Sequence, residues 1–233
     1  MDLIDLSAVP NAADSFVTFL DDLCDQLEFD YASYATTHPI TGDVQGYANY
    51  PDQWKFHYMK QGMHRFDPTI SQSIRSIAPV DWGRFADDEK FRAVFYDAQD
   101  FGITNRGLTV PVRGPYGECG LLSVTRDCDE TEWKELKRKV IGDLQVAAVH
   151  LHDNVMNSDV LQTALRRPSL STRELQILQW AASGKSQQDI GDILSISHRT
   201  VEVHLRSGRE KLSALTTAQA VGRAIGLGLI YPA

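Results

Sequence analysis

The sequence lacks the features that would send it to a membrane, an oxidising compartment or a metal. Across 233 residues no run approaches the roughly 18 consecutive apolar residues of a spanning helix. The opening residues, Met1-Asp2-Leu3-Ile4-Asp5, have neither the basic nor the apolar segment of a secretory signal. The expected location is therefore the cytoplasm, without a membrane partner. Three cysteines, Cys24, Cys119 and Cys128, are too few and too scattered for a disulfide framework or a zinc site. No metal is expected, and the chain is read as reduced. Positive charge is scarce as well: 23 Lys and Arg stand against 31 Asp and Glu, a net of −8. For the whole chain that argues against nucleic-acid binding. What remains, 42% apolar and 23% charged, is an ordinary folded composition with room for one large domain or two smaller ones.

The charge is unevenly spread. Residues 1–168 hold 16 Lys and Arg against 26 Asp and Glu, a net of −10, whereas residues 169–233 hold 7 against 5, a net of +2. A boundary fits at Arg166-Arg167-Pro168-Ser169, because proline cannot continue a helix. We expect a first domain over 1–160, a linker over 161–169 and a second domain over 170–233. In the first, Phe16, Phe19, Leu20, Leu23 and Leu27 mark an amphipathic helix, and 31–37 reads as a strand. The runs 104–113 and 118–126 flank the turn residues Gly114-Pro115-Tyr116-Gly117 and predict a β-hairpin. Helices are expected near 52–62, 68–77 and 88–100. Trp133, Leu136, Val140, Leu144, Ala147, Leu151 and Val155 then mark one helix over 130–158, about 40 Å long. Such a helix suits either packing on its own domain or dimerisation. The fold class is α+β: an α/β/α sandwich followed by an all-α domain of four helices.

The last 65 residues carry repeated helix-start signals. Ser171-Thr172-Arg173-Glu174 is a capping box, and the helix it opens runs to Gly184. Ser186 caps a short helix, Ser195-Ile196-Ser197 is a tight turn in which Ser197 caps the next, and Thr216 opens a fourth. Two helices joined so tightly read as helix-turn-helix. On the third helix Val201, Leu205, Gly208 and Leu212 form the inward face. Arg199, Glu202, Arg206 and Arg209 share a polar, mostly basic face that suits a major groove, where Arg reads guanine and Glu accepts from cytosine. Gly208 costs a helix roughly 1 kcal/mol relative to alanine. Either two helices approach closely there or the domain is less stable than usual. Ser183-Gly184-Lys185-Ser186 imitates a phosphate-binding loop, but Gln179 stands where that motif needs glycine, and a helix precedes it rather than a strand.

A DNA-binding segment on a larger acidic domain implies a regulatory input. A phosphorylated receiver is a poor fit, since Asp21-Asp22 lies within an amphipathic helix. Tyr50, Trp54 and Tyr58, with Asp67 before Pro68 and Trp82 beyond, suit either an aromatic core or a ligand pocket with polar handles. Asp67 is expected as a helix cap or a buried acceptor.

Two resemblances sharpen these readings. Leu170-Ser171-Thr172-Arg173-Glu174, Gly184-Lys185-Ser186, Ile190, Thr200-Val201, His204 and Lys211-Leu212 resemble the LuxR/NarL-type DNA-binding domain. Departures fall at Ser207, where that family usually has Asn, and at Gly208. The resemblance implies base-facing roles for Glu202 and Arg206 and phosphate-side roles for Lys185, Thr200, His204 and Lys211, with Ser186 and Arg199 in the same interface. Asn49-Tyr50-Pro51, Trp54, Tyr58, Asp67-Pro68-Thr69, Trp82, Phe101-Gly102-Ile103, Gly107-Leu108-Thr109 and Gly120-Leu121-Leu122-Ser123 resemble the autoinducer-binding domain of LuxR-type quorum-sensing regulators. That implies an N-acyl-homoserine lactone as ligand and no cofactor. Trp54 is then expected to donate to the lactone carbonyl, and Asp67, helped by Thr69, to accept from the amide N–H. Tyr50 and Ser123 would donate to the amide carbonyl, while Tyr58 and Trp82 wall the ligand. The implied partners are a second copy of the chain, a palindromic duplex site and RNA polymerase, with activation the family's usual output. The alternative is an orphan regulator of the same type, answering another small molecule or none. A lactonase is disfavoured, for there is no clustered His/Asp ligand set and no Gly-x-Ser-x-Gly elbow.

Overall fold

The computed structural model describes residues 13–37, 44–114, 118–157 and 168–231. These fall into two compact units, one on either side of residues 158–167. The expected turn at 115–117, Ser158 and most of the 161–169 linker lie outside the described residues.

The first unit runs α1 (Ala13–Leu27), β1 (Tyr31–Thr37), β2 (Val44–Ala48), α2 (Asp52–Lys60), α3 (Pro68–Ser71), β3 (Val80–Asp81), α4 (Glu89–Gln99), β4 (Gly107–Arg113), β5 (Cys119–Thr125) and α5 (Glu130–Asn157). The strands form one antiparallel sheet in the order β2-β1-β5-β4-β3. The expected hairpin is present, with Gly107 opposite Thr125 and Arg113 opposite Cys119. Strands β2 and β3 were not anticipated. Two residues carry no periodicity, and Val44-Gln45-Gly46-Tyr47-Ala48 interrupts its alternation with glycine. The helix expected over 68–77 is instead the single turn α3 followed by a 3₁₀ turn at Ser73–Arg75.

Because strand side chains alternate between faces, the sheet separates two environments. Tyr34 and Tyr47 are directly paired; Tyr34 bonds His152 of α5, and Tyr47 packs on Phe16 of α1 at 4.9 Å between ring centroids. Both long helices therefore cover one face. There Phe16, Leu20, Leu23 and Leu27 of α1, and Trp133, Val140, Leu144, Ala147, Leu151 and Val155 of α5, are buried as their spacing predicts. Ser33, Ala35, Leu121 and Ser123 point the other way, towards a space closed by α2, α3 and α4. This is the α/β/α arrangement expected.

The second unit comprises α6 (Thr172–Ala182), α7 (Gln187–Leu194), α8 (His198–Lys211) and α9 (Thr217–Gly226). Each begins with a hydroxyl cap: Ser171, Ser186, Ser197 and Thr216 accept from the amides of Glu174, Asp189, Thr200 and Gln219. Ile177, Leu178, Ile190, Val201, Leu205, Leu212, Ala220 and Ala224 form its core. The α7–α8 turn passes through Ser195 at φ +54°. It closes so tightly that a Cβ on Gly191 would stand 2.8 Å from the Ile196 carbonyl oxygen. Gly208 is different. A methyl there would meet Leu178 at 3.5 Å, an ordinary contact, so close helix approach is not what requires the glycine. Gly208→Ala is therefore expected to stabilise the second unit by about 1 kcal/mol in denaturant unfolding of the full chain. A loss of stability would show that the helices pack more tightly than this geometry allows.

Candidate ligand cavity and nucleic-acid interface

The sheet face opposite α1 and α5 lines a cavity of about 550 Å³. Tyr50, Trp54, Tyr58, Asp67, Thr69, Trp82 and Ser123 all line it, as do Ala35 and Leu121. Residues scattered over 90 positions are gathered because α2, the Asp67 cap and β5 converge on one face. Tyr50 precedes α2 rather than belonging to it, and Pro51 follows at the helix N-cap.

Asp67 is both a cap and a buried acceptor. It is only 4% exposed. Its Oδ1 accepts from the backbone N–H and hydroxyl of Thr69 at 2.8 and 2.7 Å, and its Oδ2 from the Tyr58 hydroxyl at 2.8 Å. Burial raises its pKa above the ordinary 3.8, although these bonds pull the other way. Burial likewise raises the Tyr58 hydroxyl well above its usual range, reinforced by the adjacent carboxylate, which keeps it a donor.

The two tryptophans have different commitments. Trp82 Nε1–H donates to Thr109 Oγ1 at 2.8 Å. Trp54 is buried among His57, Tyr58 and Phe101, yet no acceptor among the described residues meets its Nε1. A cavity with an unspent indole donor at one point and a charged acceptor at another is polarised for a neutral, amide-like guest. Trp82 itself is tightly placed. It opens a 3₁₀ turn capped by Asp81, whose carboxylate accepts from Trp133 and Lys137 of α5. The backbone of Gly107 lies beneath its ring, where a Cβ would come within 2.4 Å. The close approach at Gly107 is thus to an indole.

In the second unit Arg199, Glu202 and Arg206 are exposed together on α8, and Arg209 is half-buried at their edge. Lys185 is exposed just before α7. Ser186 is occupied as a cap, its hydroxyl donating to Asp189 at 2.7 Å, and the Thr200 hydroxyl pairs with Ser197 at 2.8 Å. His204 is half-buried. Lys211 is paired rather than free, its Nζ lying 2.8 Å from Glu174 Oε2. Val203, unmarked in the sequence reading, is 50% exposed among the charged residues of this face. Its signal was an apolar residue at a helical position pointing away from the core. Among the described residues no cluster of His, Cys, Asp or Glu is placed to hold a metal, and no helix is long and apolar enough to cross a membrane.

Residues 12–155 match the autoinducer binding domain family, and residues 168–224 match the family of bacterial regulatory proteins, luxR family. The chain belongs to the LuxR family. Its relatives are transcriptional regulators rather than enzymes, and its first domain is one that takes a small ligand, not a cofactor. RaiR, a transcriptional activator of Rhizobium etli, is 35% identical over 73% of this chain and 71% of its own. RhlR, a quorum-sensing regulator of Pseudomonas aeruginosa, is 32% identical over 88% and 85%. The chain spans 57% of the putative regulator y4qH of Sinorhizobium fredii, at 35% identity. Among solved structures, SdiA in complex with octanoyl-rac-glycerol has a TM-score of 0.75 at 25% identity, with 98% of each chain covered.

The departure of this LuxR-family chain at Ser207 has a structural account. Glu174, 4% exposed, closes the α6 capping box, accepts from Ser207 Oγ at 2.7 Å and holds Lys211. Burial opposes ionisation, but the Lys211 ammonium and the hydroxyl and amide donors hold its carboxyl down at about 2, against an ordinary 4.5. A depressed folded-state pKa stabilises above the unfolded value. That contribution is complete above about pH 4.5 and is lost as pH falls towards 2. Glu174→Gln is expected to cost about 2 kcal/mol at pH 7 and to flatten the stability profile of the second unit across that window. Parallel profiles for variant and parent in denaturant titrations would refute the assignment.

Proposed function

We propose that this chain is a quorum-sensing transcription factor that binds an N-acyl-homoserine lactone in the 550 Å³ cavity and regulates transcription as a DNA-bound homodimer. The observation that carries the ligand class is Asp67, an almost fully buried carboxylate held by Tyr58 and Thr69 in a largely aromatic cavity, where no acceptor among the described residues meets the Trp54 N–H. An acyl amide supplies an N–H for Asp67 and a carbonyl for Ser123 and Tyr50, and a lactone supplies an acceptor for Trp54. Tyr58 and Trp82 form walls.

The DNA-binding reading rests on the exposed Arg199, Glu202 and Arg206, with Val203 beside them offering an apolar contact for a thymine methyl. Lys185, Ser186, Thr200, His204 and Lys211 form the phosphate side, Lys211 after exchanging or sharing its partner Glu174. Dimerisation is supported by α5, which exposes Val146 and Val149 at 40% and 53%. Two-fold symmetry then calls for a palindromic site with half-sites roughly 10 bp apart or a multiple of that. A second domain of net charge only +2 holds phosphate weakly, so affinity should depend on the dimer and fall steeply with salt. Activation through RNA polymerase in the cytoplasm completes the reading. The domain division taken with it is 1–160, 161–169 and 170–233.

Capture tests the ligand class. Protein expressed with a panel of acyl-homoserine lactones should yield one of them by mass spectrometry; stable protein that yields none would sink the assignment. Octanoyl-rac-glycerol belongs in the panel, because the related SdiA was solved with it and it would favour the orphan-regulator alternative. Asp67→Asn should raise the half-maximal ligand concentration about tenfold or more, the size of a charged hydrogen bond; an unchanged reporter response would remove Asp67 from recognition. Arg206→Ala should abolish specific operator binding while leaving ligand capture intact. Retained operator affinity would refute the groove-facing role.

A further inference from the structure

We infer that Thr109 is a positioning residue that fixes the direction of the Ser123 hydroxyl, so that the cavity demands a hydrogen-bond acceptor from its ligand at that point. This rests on the proposed lactone-binding reading of the cavity and adds a residue outside its lining. Thr109 is 0% exposed on β4, directly opposite Ser123 on β5. Its side chain shares the Ser123 face of the sheet, bonded to Trp82 and outside the cavity lining, whereas Ser123 lines it.

The direction follows from the inventory of donors. Indole nitrogen only donates, so Trp82 Nε1–H must give its proton to Thr109 Oγ1, 2.8 Å away. The Thr109 hydroxyl has one proton of its own to place. Among the described residues its other partner is Ser123 Oγ at 2.9 Å. Were Ser123 the donor instead, Thr109 would accept twice and leave its own proton unpaired at a fully buried site, which is unfavourable. Thr109 therefore donates to Ser123. Ser123 Oγ already accepts on its inner side, and its remaining proton is turned towards the cavity.

The chain Trp82→Thr109→Ser123 thus runs from a fixed donor to the ligand, and each bond polarises the next. An indole that never touches the ligand through its N–H still determines which atom the ligand must present. Asp67 is the complement, since its carboxylate accepts from Tyr58 and twice from Thr69. The two points together distinguish a carbonyl from an N–H on the guest.

The test compares an acyl-homoserine lactone that the wild-type chain binds with its thioamide analogue, in which sulfur is a poorer acceptor at nearly the same shape. Binding is measured with the full chain for wild type, Thr109→Val and Thr109→Ser. Wild type should prefer the amide about tenfold, as expected for one hydrogen bond. Thr109→Val should reduce the preference to about twofold, and Thr109→Ser should restore it. A merely structural role would weaken both ligands alike, so an unchanged preference in Thr109→Val overturns the inference. If that variant does not accumulate, Trp82→Phe carries the test: freed from accepting the indole proton, Thr109 no longer sets one direction, and the preference should fall likewise. A wild type that binds the amide without preferring it removes the relay alone. A wild type that binds no lactone removes the ligand class on which the relay rests.

Discussion

Asp67 cannot be left in an apolar cavity without donors around it, and much of the first unit is arranged to provide them. Its carboxylate is capped from within by the backbone and hydroxyl of Thr69 and from α2 by Tyr58. These bonds do not abolish the cost of burial, for the carboxyl still titrates above its usual range. A ligand N–H in the cavity would meet that remaining demand. Folding and recognition then draw on the same hydrogen-bonding capacity of one buried carboxylate.

The sheet makes this possible by keeping its two faces chemically distinct. One face is bound to α1 and α5 through aliphatic and aromatic packing, together with the buried pair Tyr34 and His152, 2.6 Å apart. Burial lowers the His152 pKa to about 4, so the ring is neutral near pH 7, and acidification from about 6.5 towards 4 works against the folded unit. The other face carries hydroxyls and aromatics that cannot pack fully against one another. In the second unit the corresponding tie is Glu174, which joins the start of α6 to the end of α8 and leaves the exposed middle of α8 to its charged residues.

Legibility followed the range of the interaction. Helices α1 and α5 and all four helices of the second unit were readable because periodicity and hydroxyl caps are local. The cavity residues Trp54, Asp67 and Ser123 were readable only through family resemblance; spacing alone left aromatic core and pocket undecided. Strands β2 and β3 were missed because five residues broken by Gly46 and two residues at an edge carry too little pattern. Glu174 was legible as a capping-box carboxylate, but its ties to Ser207 and Lys211, like those of Thr109 to Ser123 and Trp82, span 14 to 37 positions. Their roles depend on strand register and helix packing, which no local pattern encodes. Val203 was not legible because it falls outside the inward spacing of Val201, Leu205 and Gly208, and a single exposed apolar residue carries no periodic signal of its own.

The contact between Gly107 and Trp82 also limits how this receptor can diverge. A side chain at Gly107 is barred while the indole lies over it, with ring atoms 2.4 to 2.6 Å from where a Cβ would be. Shrinking Trp82 first would lift that bar, but it also withdraws the proton that Thr109 accepts. The two positions are therefore epistatic, and neither order of substitution is free of a weakened intermediate. Ala35 and Leu121 line the same cavity without entering the bonds that tie Trp82, Thr109 and Ser123, so substitution there leaves that chain intact.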